Sequence, residues 1–268
     1  MHRCTGCGLG FVADLPSAEE LERFYADHYY DQPSSEQSGG LGYHTAYTEL
    51  EPGLKRMYGD FLSRVAAQHP DKRFERVLDV GCAYGYFLDV ARERLGASEL
   101  VGLDVTPEAE SIRARGYSFH HGFVEDVELP QSHFDLVFMG DALEHVRDPN
   151  QVADRLSSVL APGGVLVITT VDFDAALARL LGRRWRLMKP PEHLFYWNRS
   201  SLTRLFEARQ LYGDFENYWL YLPKSYVRTQ FAQQFGFQPW FVSLWPGEDI
   251  PIWSFDVLIA FFQKSSSR

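Results

Sequence analysis

The sequence predicts an α/β fold: a mostly parallel sheet with helices on both faces. Short apolar runs such as Arg76-Val77-Leu78-Asp79-Val80, Leu100-Val101-Gly102-Leu103-Asp104 and Phe134-Asp135-Leu136-Val137-Phe138-Met139 recur through the middle of the chain. They alternate with helical patterns, which is the signature of βαβ units whose strands are buried on both faces. The chain is also large enough for a sizeable core: 268 residues, 45% hydrophobic and 23% charged, fit one large domain with attachments.

The elements follow in order. Cys4-Thr5-Gly6-Cys7-Gly8 forms a turn, and the apolar stretch Leu9 to Val12 follows it. Ser17-Ala18-Glu19-Glu20 reads as an N-cap with acids in the first turn, opening a helix that carries Leu21, Phe24, Tyr25 and His28. Residues 31–42, rich in Ser, Gln and Gly, read as a loop. A helical pattern then runs from Tyr43 to Gln68, and another covers Phe87 to Leu95. Thr106-Pro107-Glu108 places a cap, a first-position proline and an acid at the start of a further helix. Asn150 to Leu160 is helical and stops at Ala161-Pro162-Gly163-Gly164, and Val165 to Thr169 is a strand. Ser200 to Gln210 is helical, residues 212–255 are dense in Tyr, Trp and Phe, and Phe255 to Gln263 reads as a strand. Three regions result: 1–70, 71–171 and 172–268.

The chemistry concentrates at the turn after the first of these buried strands. The strand ends at Gly81 and a helix begins near Gly85, so flexible backbone and free helix N–H groups converge on one point. Asp104 closes the next strand, where an acid meets ribose hydroxyls in Rossmann-like folds. A dinucleotide would want G-x-G-x-x-G, yet Ala83 and Tyr86 stand at the second and third glycine positions. A nucleoside without phosphate asks less of the loop, which favours S-adenosylmethionine over NAD.

In these residues the chain resembles the class I S-adenosylmethionine-dependent methyltransferases. Asp79 to Gly85 is similar to their D-x-G-x-G-x-G motif, with Ala83 for the central glycine. His121-Gly122-Phe123-Val124-Glu125-Asp126 resembles the turn along the adenine. Asp141-Ala142-Leu143-Glu144-His145-Val146 resembles the segment after the fourth strand, and Leu160-Ala161-Pro162-Gly163-Gly164 the turn before the fifth. The resemblance implies a seven-stranded Rossmann-like sheet with its last strand antiparallel. It implies cofactor contacts from Asp79, Gly81, Cys82, Ala83, Gly85 and Phe87. Asp104, Val105, Phe123, Val124, Gly140, Asp141 and Ala142 complete that set. Cys4 through Tyr30 and Pro190-Pro191-Glu192-His193-Leu194 are similar to a bacterial subgroup that carries an N-terminal zinc ribbon. Structural zinc takes four ligands, usually from two knuckles; only one knuckle is present, so no bound metal is expected.

Methyl transfer needs an aligned acceptor, excluded water and, for a hydroxyl, a group that removes its proton. His145 is the first candidate base and His193 the second; packing beneath the cofactor and fixing a loop are their structural alternatives. Tyr25, Tyr43 and Tyr47 would line a helical lid over the acceptor. Trp240, with Trp245, Trp253 and neighbouring Phe residues, would line an acceptor pocket, a core or a homodimer face. The formal net charge of -10 disfavours a nucleic-acid substrate. Three cysteines, no apolar leader and no spanning stretch point to a cytoplasmic chain. The acceptor is expected to be a small or lipid-like molecule methylated at oxygen. Carbon or nitrogen methylation of a sugar or secondary metabolite, a nucleotide-cofactor oxidoreductase and a non-catalytic S-adenosylmethionine-binding protein are the alternatives.

Overall fold

The computed structural model describes residues 1–17, 19–21, 23 and 43–266. Tyr25 lies outside the described residues, and so does the side chain of Tyr43. The chain opens with two short strands, β1 (His2–Arg3) and β2 (Gly10–Phe11), around the cysteine turn. Ser17 and Glu20 form the reciprocal cap the sequence predicts. The Glu20 amide donates to the Ser17 hydroxyl at 3.2 Å and the Ser17 amide to the Glu20 carboxylate at 2.8 Å.

Helix α1 spans Tyr43–Gln68, the span its periodicity predicts. Its buried face carries Met57, Tyr58, Phe61, Leu62 and Val65. The chain continues through β3 (Arg76–Val80), α2 (Tyr86–Leu95), β4 (Glu99–Asp104), β5 (Ser118–His121), β6 (Phe134–Gly140), α3 (Pro149–Val159) and β7 (Leu160–Val171). After β7 come α4 (Ala176–Leu181), β8 (Phe195–Tyr196), α5 (Arg199–Glu207), β9 (Leu211–Glu216), β10 (Trp219–Pro223), α6 (Lys224–Phe235), β11 (Asp249–Trp253) and β12 (Val257–Lys264). Helix starts are chemically marked. The Asp148 carboxylate accepts from the amides of Asn150 and Gln151 ahead of α3, and Asn198 and Ser201 form a capping box ahead of α5.

Seven strands make the central sheet in the order β5-β4-β3-β6-β7-β12-β9. β3 to β7 pair in parallel, and β12 lies antiparallel between β7 and β9. Alternation along each strand divides the core. On β7, Leu166 and Ile168 join one buried cluster and Val165 and Val167 the other. Two smaller sheets, β1-β2-β8 and β10-β11, flank it. No helix among the described residues is long and apolar enough to cross a membrane.

Two expectations need correction. Pro107–Arg115 forms a 3-10 helix, and the Thr106 hydroxyl does not cap it. That hydroxyl donates to Asp104 Oδ1 at 2.6 Å instead, so the side chain is committed to the preceding strand. Residues 212–255 also hold three strands, β9, β10 and β11, that aromatic density alone did not reveal.

A helix–strand contact closes the top of the fold. At Gly53, α1 approaches β10 so closely that a β-carbon would collide with the Tyr221 carbonyl. Arg56 stacks on the Tyr221 ring, 4.0 Å from its centroid, and the Tyr221 hydroxyl donates to Asp60 at 2.8 Å.

Asp135 ties β6 to the start of β3. It accepts from the amides of Glu75 and Arg76 at 3.1 and 3.0 Å and from the Arg76 guanidinium at 2.7 Å. Burial pushes its carboxyl up, but the Arg76 hydrogen bonds outweigh this and hold it below the ordinary value. A carboxyl depressed in the fold stabilises above its unfolded value, near ~3.9, and that contribution is lost as pH falls through the folded value. Asp135→Asn should therefore cost about 2 kcal/mol at neutral pH, a figure resting on the two backbone amides because the Arg76 end is partly solvent-screened. In denaturant titrations the gap between variant and parent should shrink below pH ~4; a gap constant with pH would contradict this assignment.

Candidate active site

The site grows out of the β3–α2 turn. The amides of Gly81 and Cys82 both donate to the Leu103 carbonyl, at 2.8 and 3.1 Å, stitching the turn to β4. Gly81 has φ 77°, a conformation glycine adopts freely, and a β-carbon there would come within 3.2 Å of the Ala142 side chain. Ala83 also has positive φ, 42°. What holds this alanine there is Asp104, whose Oδ2 accepts the Ala83 amide at 2.8 Å. The turn's amide is thus taken by Asp104. Asp79 is buried and pushed well up, first by burial and then by the charge of Asp104.

Asp104 also receives the Thr106 amide and hydroxyl on Oδ1, at 2.9 and 2.6 Å. The Val105 backbone adds a further hydrogen bond, so this carboxylate is anchored by neighbouring donors where it borders a cavity. This cavity has a volume of about 1100 Å³. Gly81, Ala83, Asp104, Val105, Phe123 and Val124 line one end. Gly140, Asp141, Ala142, Glu144, His145 and His193 line the middle. Tyr47 reaches it from α1, and its hydroxyl bonds that of Tyr58.

Five predicted residues sit elsewhere. Asp79, Cys82, Gly85 and Phe87 are absent from the cavity wall. Phe87 points into the core and stacks on Phe138 with centroids 4.0 Å apart. Cys82 lies against Gly102, where a β-carbon would meet its sulfur, and Gly85 backs onto Ile112 and Arg115. Trp240 is 74% exposed, on a 3-10 turn outside the cavity.

The middle of the cavity brings together two segments far apart in sequence. The Glu144 carbonyl accepts the amides of Leu194 and Phe195, at 2.8 and 3.1 Å. His145 Nδ1 lies 2.8 Å from the Glu192 carbonyl. A carbonyl only accepts, so Nδ1 carries the proton and Nε2 the lone pair. The His145 and His193 rings meet edge to face, centroids 4.8 Å apart. Burial lowers His145, and burial followed by the charge of His145 pushes His193 down to about 2. Both imidazoles are therefore neutral at pH 7. Glu144 accepts the Thr170 hydroxyl at 2.8 Å and is pushed up to about 8, first by burial and then by Asp141. Asp141 touches cavity solvent yet is ringed by protein, and burial raises it too.

The sequence did not show what steadies this loop. β8 pairs with β2, and the Val12 amide donates to the Leu194 carbonyl at 3.0 Å. The cysteine turn thus belongs to a small sheet that braces the His193 segment. Tyr218, also on the cavity wall, was missed because nothing local separates it from the other aromatics of the tail.

Residues 50–214 match the methyltransferase domain family. The chain belongs to that family. Family and fold imply S-adenosylmethionine as the cofactor of this methyltransferase. It is 36% identical over 184 residues to the ubiquinone biosynthesis O-methyltransferase of Xanthomonas axonopodis, covering 58% of this chain and 76% of that one. It is 29% identical over 144 residues to the malonyl-[acyl-carrier protein] O-methyltransferase of Serratia marcescens, covering 53% of this chain and 54% of the relative, so it spans about half that protein's length. The methyltransferase shares its fold with a SAM-dependent methyltransferase from Thermotoga maritima, at TM-score 0.53, 16% identity and coverage of 81% and 91%. It also shares it with the [4+2]-cyclase SpnF, at TM-score 0.56, 19% identity and coverage of 96% and 99%.

The residues present fit the cofactor. Asp104, Gly81 and Ala83 border the cavity with Val105, Phe123 and Val124, and Asp141 and Glu144 lie on the same wall.

Proposed function

We propose that the methyltransferase methylates an oxygen atom of a small or lipid-like acceptor. The cavity carries this reading. Single-ligand pockets span ~300–1,000 Å³, so about 1100 Å³ holds the cofactor together with an acceptor. Its outer wall is apolar, with Leu177, Leu181, Leu187, Val227, Phe231 and Ile252. The relatives are named O-methyltransferases, which supports oxygen as the acceptor atom.

When bound, S-adenosylmethionine supplies an electrophilic methyl group on a sulfonium. Asp104 faces a ribose hydroxyl, and Val105, Phe123 and Val124 border the base. Gly81, Ala83, Gly140 and Ala142 let backbone approach the ligand, while Asp141 favours its positive end. His145 and His193 face the acceptor oxygen. Tyr47 and α1, with the β10-β11 hairpin, cover the acceptor and exclude water. Residues 71–171 hold the cofactor, and the flanking regions build the acceptor side. The cysteine turn is read as what remains of a zinc ribbon, retained as the brace for β8; the reading rests on one knuckle and on β2–β8 pairing.

The test is calorimetric titration with S-adenosylmethionine, S-adenosylhomocysteine and NAD, followed by transfer of labelled methyl to phenols, acyl carboxylates and amines. Binding of the first two with label entering ethers or esters supports the proposal. NAD binding, or label confined to amines, would sink it.

A further inference from the structure

The cluster in the cavity has the composition of a metal centre, with its ligand atoms near enough to converge on one. Among the described residues, Glu144, His145 and His193 each bring one ligand atom to within 4.8 Å of the others. Glu144 is 1% exposed and His193 5% exposed. His193 Nδ1 is buried without a hydrogen-bond partner, and such an orphan is costly unless something occupies it. His145 is arranged as ligating histidines are: its Nδ1–H is spent on the Glu192 carbonyl, so Nε2 presents a lone pair in a fixed orientation. Thr170 orients Glu144 in the same way.

Charged groups surround the cluster. Asp141 lines the same cavity wall. The nearby cations already have partners: Arg186 pairs with Asp256 at 3.1 Å and Lys189 with Glu192 at 3.6 Å. Glu144 and Asp141 share that wall with the two imidazoles, and Arg186 and Lys189 also reach Asp141 electrostatically.

We infer that Glu144, His145 and His193, with the charge of Asp141 beside them, form a site for a divalent first-row transition metal ion in contact with the acceptor. Imidazole nitrogens with carboxylate oxygen suit zinc, iron, cobalt or nickel better than magnesium or calcium. Bonds of ~2.0–2.2 Å would draw the three ligand atoms together by roughly an ångström, within side-chain movement. Three protein ligands leave a position open toward the cavity, as catalytic sites do. An acceptor hydroxyl fills it and, before the cavity closes over the acceptor, loses its proton to water at neutral pH, since the ion stabilises the oxyanion. That oxygen then forms a bond to the sulfonium methyl carbon as the carbon–sulfur bond breaks, and S-adenosylhomocysteine leaves with the bonding pair. This inference rests on the methyl-transfer reading and replaces a histidine base with a metal. It also reverses the expectation, drawn from the cysteine turn, that the chain holds no metal.

The test is titration of the full chain with Co²⁺ after dialysis against chelator, followed by visible absorption and calorimetry, with S-adenosylmethionine titrated into the same samples. The expected result is one bound ion per chain with weak visible bands and no thiolate charge-transfer band. Glu144→Gln and His193→Gln, which preserve volume and hydrogen-bonding capacity, should each weaken Co²⁺ at least ~100-fold, beyond what losing an outer partner costs. The Cys4→Ser, Cys7→Ser double variant should keep the spectrum. The inference is overturned if the parent binds no Co²⁺ below millimolar concentration, if the spectrum shows thiolate ligation that the cysteine variant removes, or if Glu144→Gln binds as the parent does. Cofactor binding without Co²⁺ binding removes the metal and leaves the methyltransferase reading standing. Loss of both in the parent removes both.

Discussion

Asp104→Ala should weaken S-adenosylmethionine roughly 30–100-fold in calorimetric titration. The figure follows from one hydrogen bond to an ionised carboxylate, worth ~1.5–3 kcal/mol, converted at ~1.4 kcal/mol per factor of ten, with a further loss from the turn itself. Asp104 holds the Ala83 amide and both Thr106 donors, so the alanine variant also frees a backbone conformation that a β-carbon disfavours. Asp104→Asn removes the charge and one acceptor without opening a void. It keeps the shape but must turn an NH₂ toward the donors of either Ala83 or Thr106. The two variants should therefore lose similar affinity, while only the alanine variant should leave a void. An unchanged dissociation constant in either would remove Asp104 from the cofactor site.

Phe138→Ala should be the most destabilising single truncation in the sheet, by about 3–5 kcal/mol. Phe138 is 2% exposed on β6, stacked on Phe87 and edge-on to Tyr58, with centroids 4.0 and 5.4 Å apart. It is thus the contact between the sheet, α2 and α1. Removing it opens a cavity where three elements meet and cannot collapse together. Melting should fall by roughly 10 °C at this chain length. A loss under about 1 kcal/mol would mean that the elements relax into the space and that their packing is looser than the ring geometry indicates.

The central sheet was legible because its strands are buried on both faces, so apolar runs such as Val77 to Val80 and Val165 to Thr169 carry an unmixed signal. The bounds of α1 were legible for a related reason: Met57, Tyr58, Phe61, Leu62 and Val65 return at helical spacing. β10 and β11 were not, because each is only half covered and Trp219 and Trp253 pair across an exposed face. In the site, Gly81, Ala83 and Asp104 could be read because backbone chemistry constrains residue type there. Phe87 could not be placed, since a helix that starts at a ligand turn also has a face in the core, and sequence does not say which face a given aromatic takes. The meeting of His145 with His193 depends on the Glu144 carbonyl receiving Leu194 and Phe195, an arrangement of main chain that leaves no trace in side-chain pattern.

The close approach at Gly53 has a mechanical consequence. With no side chain between them, and with Arg56, Asp60 and Tyr221 clasped alongside, α1 and the β10-β11 hairpin cannot slide independently. They form a single roof, with Tyr47 on one slope and Leu220 and Ile252 on the other. A displacement of either is carried to the other, so substitutions on the outer surface of the hairpin would be felt at the cofactor turn beneath Tyr47.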